Sequence, residues 1–139
     1  MKRILNLLLI PIIFSACQED PPPNTLRFKA SEATLTSGTS EIIIELLLER
    51  PADENTPITL EMQAQGFTPG NQFTVDPESV EVNGTIFLAF AKGERTAVFN
   101  VQKLGNPPLE GNEKVVFQIA SAPSPLVVGQ PSTLEINFE

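Results

Sequence analysis

Beyond residue 25, apolar and polar residues alternate along much of the chain. Ile58, Leu60, Met62 and Ala64 share one phase, and Thr59, Glu61 and Gln63 the other. The same pattern recurs in Ala97/Phe99/Val101, Val115/Phe117/Ile119 and Leu134/Ile136/Phe138. A period of two puts successive side chains on opposite faces of a strand, so these stripes predict strands with one buried face. Leu26-Arg27-Phe28 predicts a short first strand, with 33–36 continuing it after a break and Gly38 marking the next turn. The stretch EIIIELLLER, 41–50, does not alternate and fits either a buried helix or a central strand. Its β-branched triplet Ile42-Ile43-Ile44, between Gly38 and Pro51, predicts a strand. Residues 66–72 read as a loop around Pro69-Gly70, and 73–75 as a brief strand ended by Asp76-Pro77. VEVNGTIFLAF, 80–90, predicts a hairpin, because Asn83-Gly84 accepts the positive φ of a two-residue turn. Lys92-Gly93 predicts another turn. About seven short strands between Gly and Pro turns predict an all-β, two-sheet antiparallel sandwich over 26–139.

The first residues follow a different pattern. Met1-Lys2-Arg3 is followed by an almost wholly apolar run from Ile4 to Ala16. That run is shorter than the ~20 residues a helix needs to cross a bilayer. A positive start, a short apolar core and small residues at its end read as a secretory signal peptide over 1–16. Ser15-Ala16-Cys17 resembles the bacterial lipobox, and Cys17 is the single cysteine of the chain. In that family the thiol takes a diacylglyceryl group and the signal is cut just before it. The resemblance implies that Cys17 is a lipid-attachment site and the mature N-terminus. Gln18 stands where Asp would imply inner-membrane retention, so outer-membrane sorting is expected. Gln18-Glu19-Asp20 also resembles the surface-export signal of Bacteroidetes-type lipoproteins. It implies cell-surface exposure, with a periplasm-facing anchor as the alternative. Pro21-Pro22-Pro23 makes 17–25 a stiff linker, since proline favours an extended spacer of ~3.1 Å per residue.

Charge then narrows the partners. Removing Lys2 and Arg3 with the signal leaves seven basic against seventeen acidic residues, a net charge of −10. Such a chain repels phosphate backbones, which argues against nucleic acid as a partner. The membrane is then reached through the lipid anchor.

FAKGERTAVFNVQKL followed by LEGNEKVVFQIA is similar to the Calx-beta module. Phe90, Gly93, Glu94, Val101, Glu110, Glu113 and Phe117 carry the resemblance, most strongly over 87–120. It implies an immunoglobulin-like sandwich, some of whose members bind calcium in loops at one end. Ser37, Gln72 and Leu104-Gly105 stand where that pattern has carboxylates, leaving Glu110 and Glu113 as weak calcium candidates. Calcium takes 6–8 oxygen ligands, so the expectation is no bound metal and two solvated side chains. Asp76 adds a ligand only if the middle loop folds back.

The chain has no histidine, which removes Ser-His and Cys-His pairs and histidine metal sites. It has no P-loop and no GxSxG. A non-enzymatic reading follows: a lipid-anchored surface module for adhesion or protein or glycan interaction. The alternatives are an accessory subunit of a larger outer-membrane complex and a calcium-binding Calx-beta module.

Overall fold

The computed structural model describes residues 22–67, 72–78, 84–104 and 109–139. Cys17, the signal peptide and the first half of the 80–90 hairpin lie outside them. The described residues form strands only: β1 (Asn24–Phe28), β2 (Glu32–Leu35), β3 (Glu41–Leu48), β4 (Thr56–Gln65), β5 (Phe73–Asp76), β6 (Thr85–Phe90), β7 (Thr96–Lys103), β8 (Lys114–Ser121), β9 (Leu126–Val128) and β10 (Thr133–Phe138). They make two five-stranded sheets, β5-β7-β3-β1-β9 and β2-β10-β8-β4-β6. Face-to-face packing of the two buries the period-two stripes.

All four stripes point inward as expected. Ile58, Leu60, Val101, Phe117, Ile136 and Phe138 are buried, and the last of the first stripe, Ala64, is half-buried. The run at 41–48 is β3, between β1 and β7. Its hidden alternation appears in three dimensions: Ile44, Leu46 and Leu48 face the core, while Ile43 is 62% exposed. Aromatic pairs tie the sheets together. Phe99 of β7 and Phe117 of β8 have ring centroids 4.9 Å apart. At one end of the sandwich Phe67 packs edge-on against Phe73 and Phe138, at 4.5 and 5.1 Å. The loop predicted at 66–72 thus contributes a ring to the core.

Among the described residues the strands number ten, against about seven expected, and three features differ from the expectation. The 33–36 stretch does not extend the first strand in place. β1 pairs with β3, and the chain then crosses to the other sheet, where β2 pairs with β10. Hydrogen bonds from Phe28 N to Pro131 O (2.9 Å), just before β10, and from Glu135 N, within β10, to Ser31 O (3.0 Å) hold this crossing to the far end of the chain. β9, three residues among prolines, carries no alternation to announce it. The antiparallel sheets each hold one parallel edge pair, β1 with β9 and β10 with β2.

β6 pairs antiparallel with β4, next to the turn at Gly84. Gly84 has φ 70°, and a Cβ there would stand 2.6 Å from the Met62 carbonyl oxygen. Only glycine lets the chain enter β6 this close to its neighbour.

Candidate functional site

The topology separates two ends. The chain enters β1 at one end, beside the β3–β4 loop and the 91–95 turn, where Gly93 N donates to Ala52 O at 2.8 Å. The 36–40 loop, Gln72, Leu104, the 109–113 loop and Glu139 gather at the other end. Leu104 N donates to Gln72 O (2.8 Å), Phe138 N to Glu113 O (3.1 Å) and Glu139 N to Leu35 O (2.9 Å). The calcium candidates Glu110 and Glu113 therefore sit at the end where the Calx-beta resemblance puts a metal.

The structure separates their roles. Glu110 is exposed, as expected. Glu113 is not solvated: it is 3% exposed. Its carboxylate turns back into its own loop. Oε1 accepts the Glu110 N–H at 2.7 Å, and Oε2 accepts those of Gly111 and Asn112 at 2.8 and 3.1 Å. Gly111 has φ 88°, which lets the successive amides converge on one anion. Burial raises the Glu113 pKa, and the loop amides outweigh it, so the carboxyl is held below its ordinary 4.5. Both oxygens are thus engaged by donors of the chain itself. A metal there would displace three charge-assisted hydrogen bonds.

The remaining positions fit this picture. Ser37 lies in the 36–40 loop. Gln72 is buried and offers no charge. Asp76, on β5, pairs with Asn100 of β7, three residues along from the Phe73–Lys103 pair that marks the end. Lys103 is the residue sequence reasoning missed. Its ammonium donates to Thr36 O and, at 3.4 Å, to Glu139 O. The chain's own cation lies against backbone carbonyls at this end. Its only sequence signal is its place next to Leu104-Gly105. Among the described residues no group of three or more acidic, Cys or His side chains could hold a metal ion.

These contacts give an expected outcome. The chain melted in chelator and then in about 1 mM calcium, at matched ionic strength, should shift by a degree or two. A site with Kd near 10 μM would add roughly 2.7 kcal/mol. That is on the order of ten degrees for a domain of this size. A ten-degree rise abolished by Glu110→Gln would show that the loop does take calcium.

No protein-family model matches the chain, and a comparison with curated proteins gives no match. Solved structures do match. The apo-form Calx CBD1 domain superposes with a TM-score of 0.65 at 13% identity, over 83% of this chain and 95% of that one. The calcium binding domain CBD12 of CALX1.1 gives 0.64 at 13%, over 81% of this chain and 43% of that one. A two-domain protein of unknown function from Bacteroides fragilis gives 0.55 at 10%, over 86% and 46%. The chain spans less than half of the last two. At such identities the likeness is one of fold, and the fold is the Calx-beta-like sandwich expected from 87–120.

Proposed function

We propose that the chain is a lipid-anchored module of the cell envelope, held by Cys17 at the outer membrane and exposed at the cell surface. There it acts as a non-enzymatic adhesion or interaction domain for a protein or glycan. The observation that carries this reading is the separation of the two ends. The Arg50 guanidinium bonds the carbonyl of Pro22 at the end where the chain enters. The 36–40 and 109–113 loops lie at the opposite end. A chain tethered a few residues before Pro22 holds those loops away from the lipid. The lipobox-like FSAC and the proline linker supply the tether. Two acyl chains at about 0.8 kcal/mol per buried CH₂ anchor it stably.

A second reading, an accessory subunit of a larger envelope complex, draws support from the outer face of the β3-containing sheet. Ile43 and Val98 stand there 62% and 52% exposed on neighbouring strands. Calcium binding, after the similarity to the calcium binding domain CBD12, is a third reading, disfavoured by the filled Glu113 loop.

The test is expression of the chain in a diderm host beside Cys17→Ser. Mass spectrometry of the wild type should find a chain starting at an acylated Cys17, and surface proteolysis of intact cells should cleave it. A bare thiol at Cys17, or a cut elsewhere, overturns the anchor. Pull-down from membranes then separates the first two readings: a subunit brings fixed partners, and an adhesion module does not.

A further inference from the structure

A groove of about 530 Å³ opens on the outer face of the β3-containing sheet, near the end where the chain enters. Thr25, Arg27, Leu47, Glu49, Arg95 and Thr96 line it. Register explains the grouping: Arg27 stands opposite Leu47, and Leu47 opposite Thr96. Arg95 is held in place by backbone carbonyls, its Nε donating to Leu48 O at 3.4 Å and its Nη2 to Glu49 O at 2.5 Å. Arg27 Nη1 makes one long contact, 3.4 Å to Phe28 O. The two ion pairs of the described residues, Lys29–Glu45 and Lys114–Glu135, use neither arginine. Two guanidiniums thus face one groove without a carboxylate partner among the described residues. Glu49 at the rim leaves a surplus of one positive charge.

The charge layout around the groove is lopsided. At the entry end Arg27, Arg50, Lys92 and Arg95 balance Glu49, Asp53, Glu54 and Glu94. The rest of the described chain carries three basic and ten acidic residues, a net −7. An anionic surface repels that part and leaves the groove as the approachable region.

We propose that the groove is a subsite for a lipid phosphodiester of the bilayer that carries the anchor, and that it fixes the domain with its 36–40 and 109–113 loops outermost. The inference rests on the lipid-anchor reading above. A phosphodiester bears one negative charge and acceptor oxygens, which match two guanidinium forks offset by one carboxylate. Thr25 and Thr96 offer hydroxyl donors, and the Leu47 side chain an apolar base. Basic side chains beside an anionic lipid surface favour the docked orientation by about fivefold each, so a surplus of one predicts a bias of that order.

The acylated full chain is the material for the test, because its only native thiol is then occupied. Val127→Cys, on the strand beside Thr25, and Thr39→Cys, at the far end, each take a single fluorophore. In phosphatidylglycerol vesicles containing a headgroup nitroxide quencher, quenching at 127 should exceed that at 39 at least threefold. The ratio should fall severalfold in Arg27→Gln/Arg95→Gln, and in vesicles of an uncharged galactolipid without phosphate, to the smaller bias that the tether alone imposes. Glu49→Gln should raise it, and Lys103→Gln should leave it unchanged. Equal quenching at both positions, or a ratio indifferent to the arginines, overturns the subsite while an acylated Cys17 keeps the anchor. Arginine dependence that persists on galactolipid overturns the phosphodiester as ligand and points to sugar. If mass spectrometry finds Cys17 bare, the anchor falls instead. The subsite then stands only if the chain co-sediments with phosphatidylglycerol vesicles and the arginine variant does not.

Discussion

Phe117→Ala should cost about 3–5 kcal/mol of stability, the range for removing a fully buried ring. Phe117 has no exposed surface, and its ring meets Phe99 of the opposite sheet with centroids 4.9 Å apart. Its strand β8 lies between β4 and β10, where Phe117 pairs with Met62 on one side and Leu134 on the other. Truncation opens a void bounded by both sheets, and neither can collapse into it without breaking its own ladder. The lost stability corresponds to a fall of on the order of 15 °C in Tm. Gln118→Ala, one residue on and pointing outward, should change stability by less than about 0.5 kcal/mol. Urea unfolding of the two variants checks both figures. A loss below about 1 kcal/mol for Phe117→Ala would mean that the aromatic contact between the sheets does not hold them together.

The contrast between Phe117 and Gln118 shows how much the chain reveals before it is folded. Alternation is a local property, so the inward phase of β4, β7, β8 and β10 could be read directly. Even the unbroken run 41–48 could be assigned to a strand from its β-branched residues. Sheet membership could not. The crossing between β1 and β2 is bound to Pro131 and to Glu135 of β10, more than a hundred positions away, and nothing local reports those bonds. β9 is three residues long and owes its state to pairing with β1. The site was legible only in part. The absence of carboxylates at Ser37, Gln72 and Leu104 could be seen against the Calx-beta pattern. A glutamate folded into its own loop, however, reads in sequence like any surface acid. The positive φ of Gly111 is the feature that makes the turn, and Gly111 was the one hint available.

Glu113→Gln should destabilise the domain by about 2–3 kcal/mol at neutral pH, although it removes no volume. The amide keeps one acceptor oxygen and replaces the other with a donor. The loop offers only donors, the N–H groups of Glu110, Gly111 and Asn112. At least one of them is then left unpaired at a nearly buried position, a cost of roughly 1–3 kcal/mol. The charge-assisted share of the remaining bonds is lost as well. Gly66 adds to the constraint, because a Cβ there would lie 3.3 Å from the Glu113 Cγ, so the side chain has little space to swing away. The pH dependence identifies the carboxylate as the cause. Because Glu113 titrates below its ordinary 4.5 in the folded state, its contribution is complete above that value. It is lost as pH falls through the lowered folded value. The wild-type advantage over Glu113→Gln should therefore be flat from neutral pH down to about the ordinary 4.5 and narrow steadily in more acid solution. Chemical unfolding of both proteins between pH 2 and 7 measures this. A difference that stays constant across the range would place the effect in packing and remove the charge from the account of this loop. A difference under about 0.5 kcal/mol at pH 7 would mean that the amides are satisfied by water, and the loop would then be open to a metal.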